Sequence, residues 1–170
     1  MKLEEAIQTA IEYETKVRDL YKEATASAAD DVGKRIFGLL EKEEQEHLDY
    51  LNSRLEEWRK SGSIVVEKLE THVPSPETIK QGVASLTEKM GERKDRSAEL
   101  EMLKRAHAAE TETSAFYQKM VTELDADGQK LFERFVEIEQ GHDAIVQAQI
   151  DSLTGMGFWF DCMEFSLEAG

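Results

Sequence analysis

The sequence predicts an all-α protein, a four-helix bundle with one long crossover connection, built from a duplicated helical hairpin. The 170 residues include only 2 prolines and 10 glycines, and 34% of them are charged, a composition typical of nearly continuous helix. In four long stretches, apolar residues recur at alternating intervals of three and four, as in helices that each bury one face. A chain of 19.4 kDa suits a single domain, residues 1–170, with a sizeable core.

The net charge and the cysteine content exclude several classes of function. The formal charge is -15 at pH 7, which opposes binding to nucleic-acid phosphates and to anionic lipid. Cys162 is the only cysteine, so these residues contain neither an intrachain disulfide nor a Cys-x-x-Cys metal site. The sequence begins without an apolar signal segment and contains no stretch of membrane-spanning length. We therefore expect a soluble cytoplasmic protein with no nucleic-acid or membrane partner.

The first hairpin is predicted to consist of helices at about residues 2–28 and 31–60, joined by a short polar turn. Glu43 and Glu46 are assigned to faces of the second helix that point away from its apolar stripe. Four polar residues nevertheless fall inside the two apolar stripes: Glu14, Tyr21, Glu44 and His47.

Residues 61–95 form a connection that is much longer than two antiparallel neighbours need. Within it, Ser75, Pro76 and Glu77 are typical of a helix start, as N-cap, first-position proline and favourable acid. The short helix is predicted to end at about Met90, and the whole connection can cross the bundle from end to end. The helix would pack on the outside of the bundle or on a second subunit through Ile79, Val83 and Leu86.

The second hairpin is predicted at about residues 96–124 and 126–153, and its stripes contain Glu110, Tyr117, Glu139 and His142. The tail, residues 154–170, breaks the helical pattern. We favour the interpretation that it caps one end of the bundle, because exposed aromatic residues at this density are disfavoured. The alternative is a docking strip for another subunit. Four aromatic residues lie in this tail: Phe158, Trp159, Phe160 and Phe165.

The two hairpins repeat each other in sequence. Glu14 and Tyr21 match identical residues 96 positions later, and Phe37, Glu44 and His47 match identical residues 95 positions later. Each half therefore contains an isolated glutamate followed, about 30 residues later, by a Glu-x-x-His motif. The chain is interpreted as a duplicated helical hairpin joined by the crossover.

The polar residues inside the stripes predict a site for two metal ions. A Glu and a His three residues apart lie on one helix face and can reach one ion. Four buried carboxylates would repel each other, and two divalent cations remove that conflict. Such oxygen and imidazole ligands suit iron or manganese, although zinc or cobalt can occupy the same site. The predicted ligands are Glu14, Glu44, His47, Glu110, Glu139 and His142.

Two tyrosines and two histidines outside this ligand set also have groups that could take part in chemistry. Tyr21 and Tyr117 lie one or two turns from the glutamates and are candidate catalytic residues that supply a proton or an electron. His72 and His107 fit neither motif and are interpreted as ordinary residues, although His107 falls beside the predicted site.

This pattern resembles the ferritin-like di-iron superfamily, most of all the rubrerythrins, over about residues 2–153. The matching features are a Glu with a Tyr seven residues later and a Glu-x-x-His motif, each present twice. The resemblance implies a left-handed bundle, a homodimer and two irons bridged by Glu44 and Glu139, with Glu14 and Glu110 as terminal ligands. It also implies an oxidoreductase that reduces peroxide or O2 with electrons from a separate protein.

Two departures from the rubrerythrin pattern leave alternatives open. Thr113 stands where peroxide-reducing members usually have a further glutamate, and the electron-transferring Cys-x-x-Cys rubredoxin domain has no counterpart in these residues. The six-residue set is also similar to that of bacterioferritin, which oxidises ferrous iron and stores it. An iron-binding ferroxidase or storage protein is therefore one alternative, and a metal-free structural or interaction bundle is the other.

Overall fold

The structure, a computed structural model, describes residues 1–85, 95–157 and 159–161. In these residues the chain contains no strand, and none of the helices is both long and apolar enough to cross a membrane. This confirms the predicted fold class, and the long helices begin and end within two residues of their predicted bounds. The helices are α1 (Leu3–Ser27), α2 (Asp31–Ser61), α3 (Pro76–Ser85), α4 (Ser97–Glu123) and α5 (Ala126–Gly155).

Local sequence signals fix the starts of α2 and α5 and the end of α2. Asp30 caps α2 by accepting a hydrogen bond of 2.8 Å from the Val32 N–H, and Asp125 caps α5 through the Gly128 N–H at 3.2 Å. Gly62 ends α2 in the left-handed conformation, with φ of 70°, which glycine adopts without steric cost. The two capping aspartates lie just after α1 and just after α4, so the turn in each hairpin is short.

The core consists of two apolar clusters at opposite ends of the bundle. The first cluster includes Ile7 and Leu51, and the second includes Val17 and Leu40. Along the chain, α1 runs from the first cluster to the second and α2 returns, whereas α4 runs from the second to the first and α5 returns. Because α2 and α4 run in the same direction, the connection between them must travel the length of the bundle.

The connection crosses the bundle as predicted. Ile64 and Leu69 pack in the first cluster, whereas Val73 packs in the second. The guanidinium of Arg134 on α5 donates hydrogen bonds of 2.8 and 2.6 Å to the Leu69 carbonyl oxygen. The segment before α3 is therefore held against the bundle by both apolar packing and hydrogen bonds.

Helix α3 packs on the outside of the bundle, against α5. Its Ile79 is 3% exposed and joins the second cluster, and the Ser75 hydroxyl accepts a hydrogen bond from the Thr78 N–H at 3.2 Å, as an N-cap does. The predicted contact of Leu86 and the predicted helix end near Met90 lie outside the described residues.

The described part of the tail closes the end of the bundle that contains the second cluster. Trp159 and Phe160 are 5% and 2% exposed, and the Trp159 ring meets the Phe37 ring edge-on at 5.2 Å. The Gln149 side chain bonds the backbone N–H and carbonyl of Phe160 at 2.9 and 2.6 Å. These two aromatic residues therefore form a cap and not an exposed strip. The other two lie outside the described residues: Phe158 and Phe165.

Candidate metal centre

A layer of buried polar residues separates the two apolar clusters. In each long helix these residues stand between the positions that enter the first cluster and those that enter the second. None of the six predicted ligands is more than 1% exposed. The structure therefore brings together, in one layer, Glu14, Glu44, His47, Glu110, Glu139 and His142.

The six residues form two overlapping groups of four. In each group, one ligand atom per residue lies within 4.8 Å of the others. Glu44 and Glu139 belong to both groups; Glu14 and His47 complete one, and Glu110 and His142 complete the other. Two carboxylates shared between two ligand sets are suited to bridging two metal ions. These buried Glu/His groups fit a di-metal carboxylate site.

The two imidazole rings are stacked and present the same nitrogen to the carboxylates. Their centroids are 5.3 Å apart with an interplanar angle of 14°. His47 Nδ1 lies 3.1 Å from Glu14 Oε2 and 3.2 Å from Glu44 Oε2. His142 Nδ1 lies 2.8 Å from Glu44 Oε1 and 3.7 Å from Glu110 Oε1. The Nδ1 atoms and the carboxylate oxygens thus converge as a ligand set does.

Unsatisfied polar atoms show that this donor set fits cations. A buried polar atom without a partner costs about 1–3 kcal/mol, and more when it is charged. Positive ions between the carboxylates would satisfy these atoms and offset the repulsion. Three carboxylate oxygens are buried without a hydrogen-bond partner among the described residues: Glu110 Oε2 and both oxygens of Glu139.

The four carboxylates divide into two protonated and two ionised groups. Burial, followed by the charge of Glu14, raises the pKa of Glu44 to about 8. Burial, followed by the charge of Glu110, raises the pKa of Glu139 well above its usual value. Burial also acts on Glu14 and Glu110, but their neighbouring imidazole rings lower both pKa values, that of Glu14 to about 2. The two shared carboxylates therefore take up protons when no metal is bound.

Both histidines also bind protons strongly in the metal-free state. Burial alone would lower the pKa of His47, but the charges of Glu44 and Glu14 raise it to about 10. The pKa of His142 is likewise raised well above its usual value against the effect of burial, first by the charge of Glu44. Protons thus occupy the positions that cations would take.

Tyr21 and Tyr117 each hydrogen-bond a glutamate of the opposite hairpin. The Tyr21 hydroxyl donates to Glu110 Oε1 at 2.5 Å, and the Tyr117 hydroxyl donates to Glu14 Oε1. Burial and then these carboxylate charges raise the pKa of both phenols well above the usual value. The two tyrosines therefore stay protonated at neutral pH. They orient Glu110 and Glu14, each of which belongs to only one of the two ligand groups.

The assignment of Glu43 to a face away from the core is wrong. Its side chain is 1% exposed, and it accepts hydrogen bonds from the Thr71 hydroxyl at 2.6 Å and the His72 N–H at 2.7 Å. Its Oε2 also lies 3.4 Å from His142 Nε2. Burial would raise the pKa of Glu43, but the contacts from His142, Thr71 and His72 lower it to about 2. Glu43 is therefore an ionised residue directly behind a predicted ligand.

The sequence does contain a signal for the burial of Glu43. Glu43 stands three residues after Leu40 and four before His47, which is the spacing of one buried helix face. The stripe through Glu44 and the stripe through Glu43 are adjacent on α2. A helix with neighbours on two sides buries both, so a single stripe underestimates its buried surface.

The remaining histidines lie at the periphery. The imidazole of His72 is exposed, 3.8 Å from Glu46 Oε2, although its backbone N–H binds Glu43. His107 Nε2 lies 3.0 Å from Asp143 Oδ1 and belongs to none of the possible metal-binding groups found in the described residues. The expectation that His107 adjoins the site gains no support from this contact.

An open groove leads from the surface to the metal layer. It has a volume of about 810 Å³ and lies between α3, α4 and α5. Its lining includes the predicted ligand Glu139, so a small molecule in the groove can approach one of the two shared carboxylates. Other residues that line the groove include Ile79, Lys80, Ser114, Ala115 and Ala144.

Metal binding is expected to stabilise the folded chain strongly. A ligand present at 1,000 times its dissociation constant stabilises a protein by about 4 kcal/mol, which raises the melting temperature of a domain of this size by about 8–16 °C. Thermal unfolding of the chelated protein, with and without added Fe²⁺ or Mn²⁺, measures this shift. An unchanged melting temperature would instead favour the metal-free bundle.

Comparison with known proteins agrees with this site. The model of the rubrerythrin family matches residues 5–150, which include all six predicted ligands and all four long helices apart from a few terminal residues. No curated protein and no solved structure matches the chain. The match covers most of the sequence, and the observed bundle is the ferritin-like helical bundle of that family. The chain therefore belongs to the rubrerythrin family.

Proposed function

We propose that this protein is a non-haem di-iron oxidoreductase that reduces hydrogen peroxide or O2 at a carboxylate-bridged iron pair. The observation that supports this most is the sharing of Glu44 and Glu139 between the two buried ligand groups. A pair of ferrous ions bound there supplies two electrons to an oxidant. Iron is the proposed metal, and manganese or zinc is compatible with the same donors.

The electrons would come from a separate protein. A rubredoxin-type iron site needs four cysteine thiolates, and these 170 residues contain one. We also propose that the chain works as a homodimer, as the resemblance implies.

The chain's own residues would position the oxidant, exclude water and manage protons. Reduction of hydrogen peroxide to two water molecules consumes two electrons and two protons. Tyr21 and Tyr117 are neutral, buried phenols in contact with Glu110 and Glu14, which supports a role in proton supply to the centre. The groove that reaches Glu139 offers a route for the oxidant.

An iron-oxidising storage protein is the second candidate, and the environment of Thr113 favours it. This residue is 1% exposed, and its hydroxyl donates to the Ala109 carbonyl oxygen at 2.9 Å. It therefore supplies no seventh ligand of the kind that peroxide-reducing rubrerythrins usually have. Storage would require many more than two irons per chain and an assembly much larger than a dimer.

Stopped-flow absorbance distinguishes these functions. We expect the anaerobic protein loaded with two Fe²⁺ per chain to react faster with hydrogen peroxide than with O2, and to cycle when a reductant is added. Glu133→Gln, an exposed change on α5, is the matched control and is expected to react like the unmodified protein. A reaction with O2 alone, followed by continued iron uptake into a large assembly, would favour storage and contradict the peroxidase proposal.

A further inference from the structure

The two histidines of the metal centre differ on the side that faces away from the carboxylates. His142 Nε2 lies 3.4 Å from the Glu43 carboxylate. His47 Nε2 is buried and has no hydrogen-bond partner among the described residues. The Phe135 ring meets the His47 ring edge-on at 5.5 Å. One imidazole therefore has the Glu43 carboxylate at hydrogen-bonding distance behind it. The other has a ring nitrogen within 4.8 Å of the same carboxylate but no hydrogen bond to it among the described residues.

The sequence repeat does not extend to Glu43, although the predicted ligands themselves are repeated. Glu44 and His47 match Glu139 and His142 at an interval of 95 residues, but the residue 95 positions after Glu43 is Ile138. Ile138 is apolar and 2% exposed. The duplication thus preserved the donors of both metal positions and gave only one of them a carboxylate behind its histidine.

The crossover connection holds Glu43 in place. Thr71 and His72, both in that connection, donate hydrogen bonds of 2.6 and 2.7 Å to the two carboxylate oxygens of Glu43. The connection occurs once in the chain, so the His47 side has no equivalent support. A fixed carboxylate that accepts the Nε2 proton of an imidazole leaves Nδ1 free to bind metal and makes it a stronger donor.

We infer that Glu43 is a positioning residue that makes the two metal positions unequal. The position served by His142 binds a divalent cation more tightly and fills before the position served by His47. Loss of such an outer carboxylate typically weakens metal binding by about 10- to 100-fold, and we expect that difference here. The inference rests on the proposed di-metal centre.

Titration of the metal-free protein with Co²⁺, followed by visible absorbance and calorimetry, tests this inference. The unmodified chain is expected to show two binding steps that differ by about 10- to 100-fold. His142→Ala is expected to remove the tighter step and His47→Ala the weaker one, which assigns each step. Glu43→Gln is expected to weaken only the tighter step, by the same factor. Glu56→Gln, with the same charge change at an exposed position on the same helix, is the control and leaves both steps unchanged.

The outcomes separate this inference from the proposed function. An unmodified chain that binds no Co²⁺ would contradict both. Two bound ions with Glu43→Gln weakening both steps equally, as a purely structural role would, or weakening neither, contradicts only the inference. If Glu43→Gln does not fold, Thr71→Val takes its place: selective weakening of the tighter step supports the inference, and unchanged steps overturn it.

Discussion

Replacing Glu44 with alanine is expected to leave fewer than two metal ions per chain and to slow the reaction with peroxide by more than about 100-fold. Glu44 belongs to both ligand groups, so its loss removes a donor from each metal position at once. The helices are expected to stay intact, because the change also removes a buried carboxylate that repels Glu14. Elemental analysis and stopped-flow absorbance measure the two losses, and circular dichroism measures helicity.

A matched change on the same helix controls for nonspecific effects. Glu56 is exposed, and among the described residues its one ion pair is with Lys60, at 3.5 Å. Glu56→Ala is therefore expected to keep two metals and full activity. Full metal occupancy in Glu44→Ala would show that the carboxylate bridge is assigned incorrectly.

Metal affinity is expected to rise steeply with pH. In the metal-free protein the pKa of Glu44 is about 8 and that of His47 about 10, so both bind protons at pH 7 that a metal ion must displace. The raised pKa values of Glu139 and His142 add to this effect. Release of two to four protons makes the affinity rise about 100- to 10,000-fold per pH unit.

The sign of this dependence follows from the direction of the shifts. Groups with raised pKa values compete with the metal increasingly as the pH falls, His47 below about 10 and Glu44 below about 8. The lowered pKa of Glu14 keeps that carboxylate ionised throughout. Calorimetric titrations with Mn²⁺ in buffers of different ionisation enthalpy count the released protons. Affinity that stays constant between pH 6 and pH 8 would contradict the protonation pattern of the cluster.

The sequence was sufficient to predict the helices and the burial of six polar residues inside them, because local rules govern both. A helix that buries one face shows its period, and Glu14 or His142 inside an apolar stripe signals a polar layer. Because the two hairpins repeat each other, the pattern of polar residues inside apolar stripes occurs twice, and each copy supports the interpretation of the other. The length of the connection between the hairpins likewise predicted that it crosses the bundle.

Contacts between elements distant in sequence could not be predicted in this way. Glu43 is buried because Thr71 and His72 reach it from the crossover, and periodicity within α2 contains no information on that path. The hydrogen bonds of Tyr21 and Tyr117 pass between hairpins, whereas their spacing relates each only to the glutamate of its own helix. Such partners depend on how the helices are arranged around one another.

The metal content of the protein tests the central claim most directly. Elemental analysis of protein purified without added metal, repeated after anaerobic incubation with Fe²⁺ and removal of unbound ions, gives the number of ions per chain. The two overlapping ligand groups predict two ions per chain. A chain that contains no metal and takes up none would contradict the claim and leave four buried glutamates without a cation to balance them.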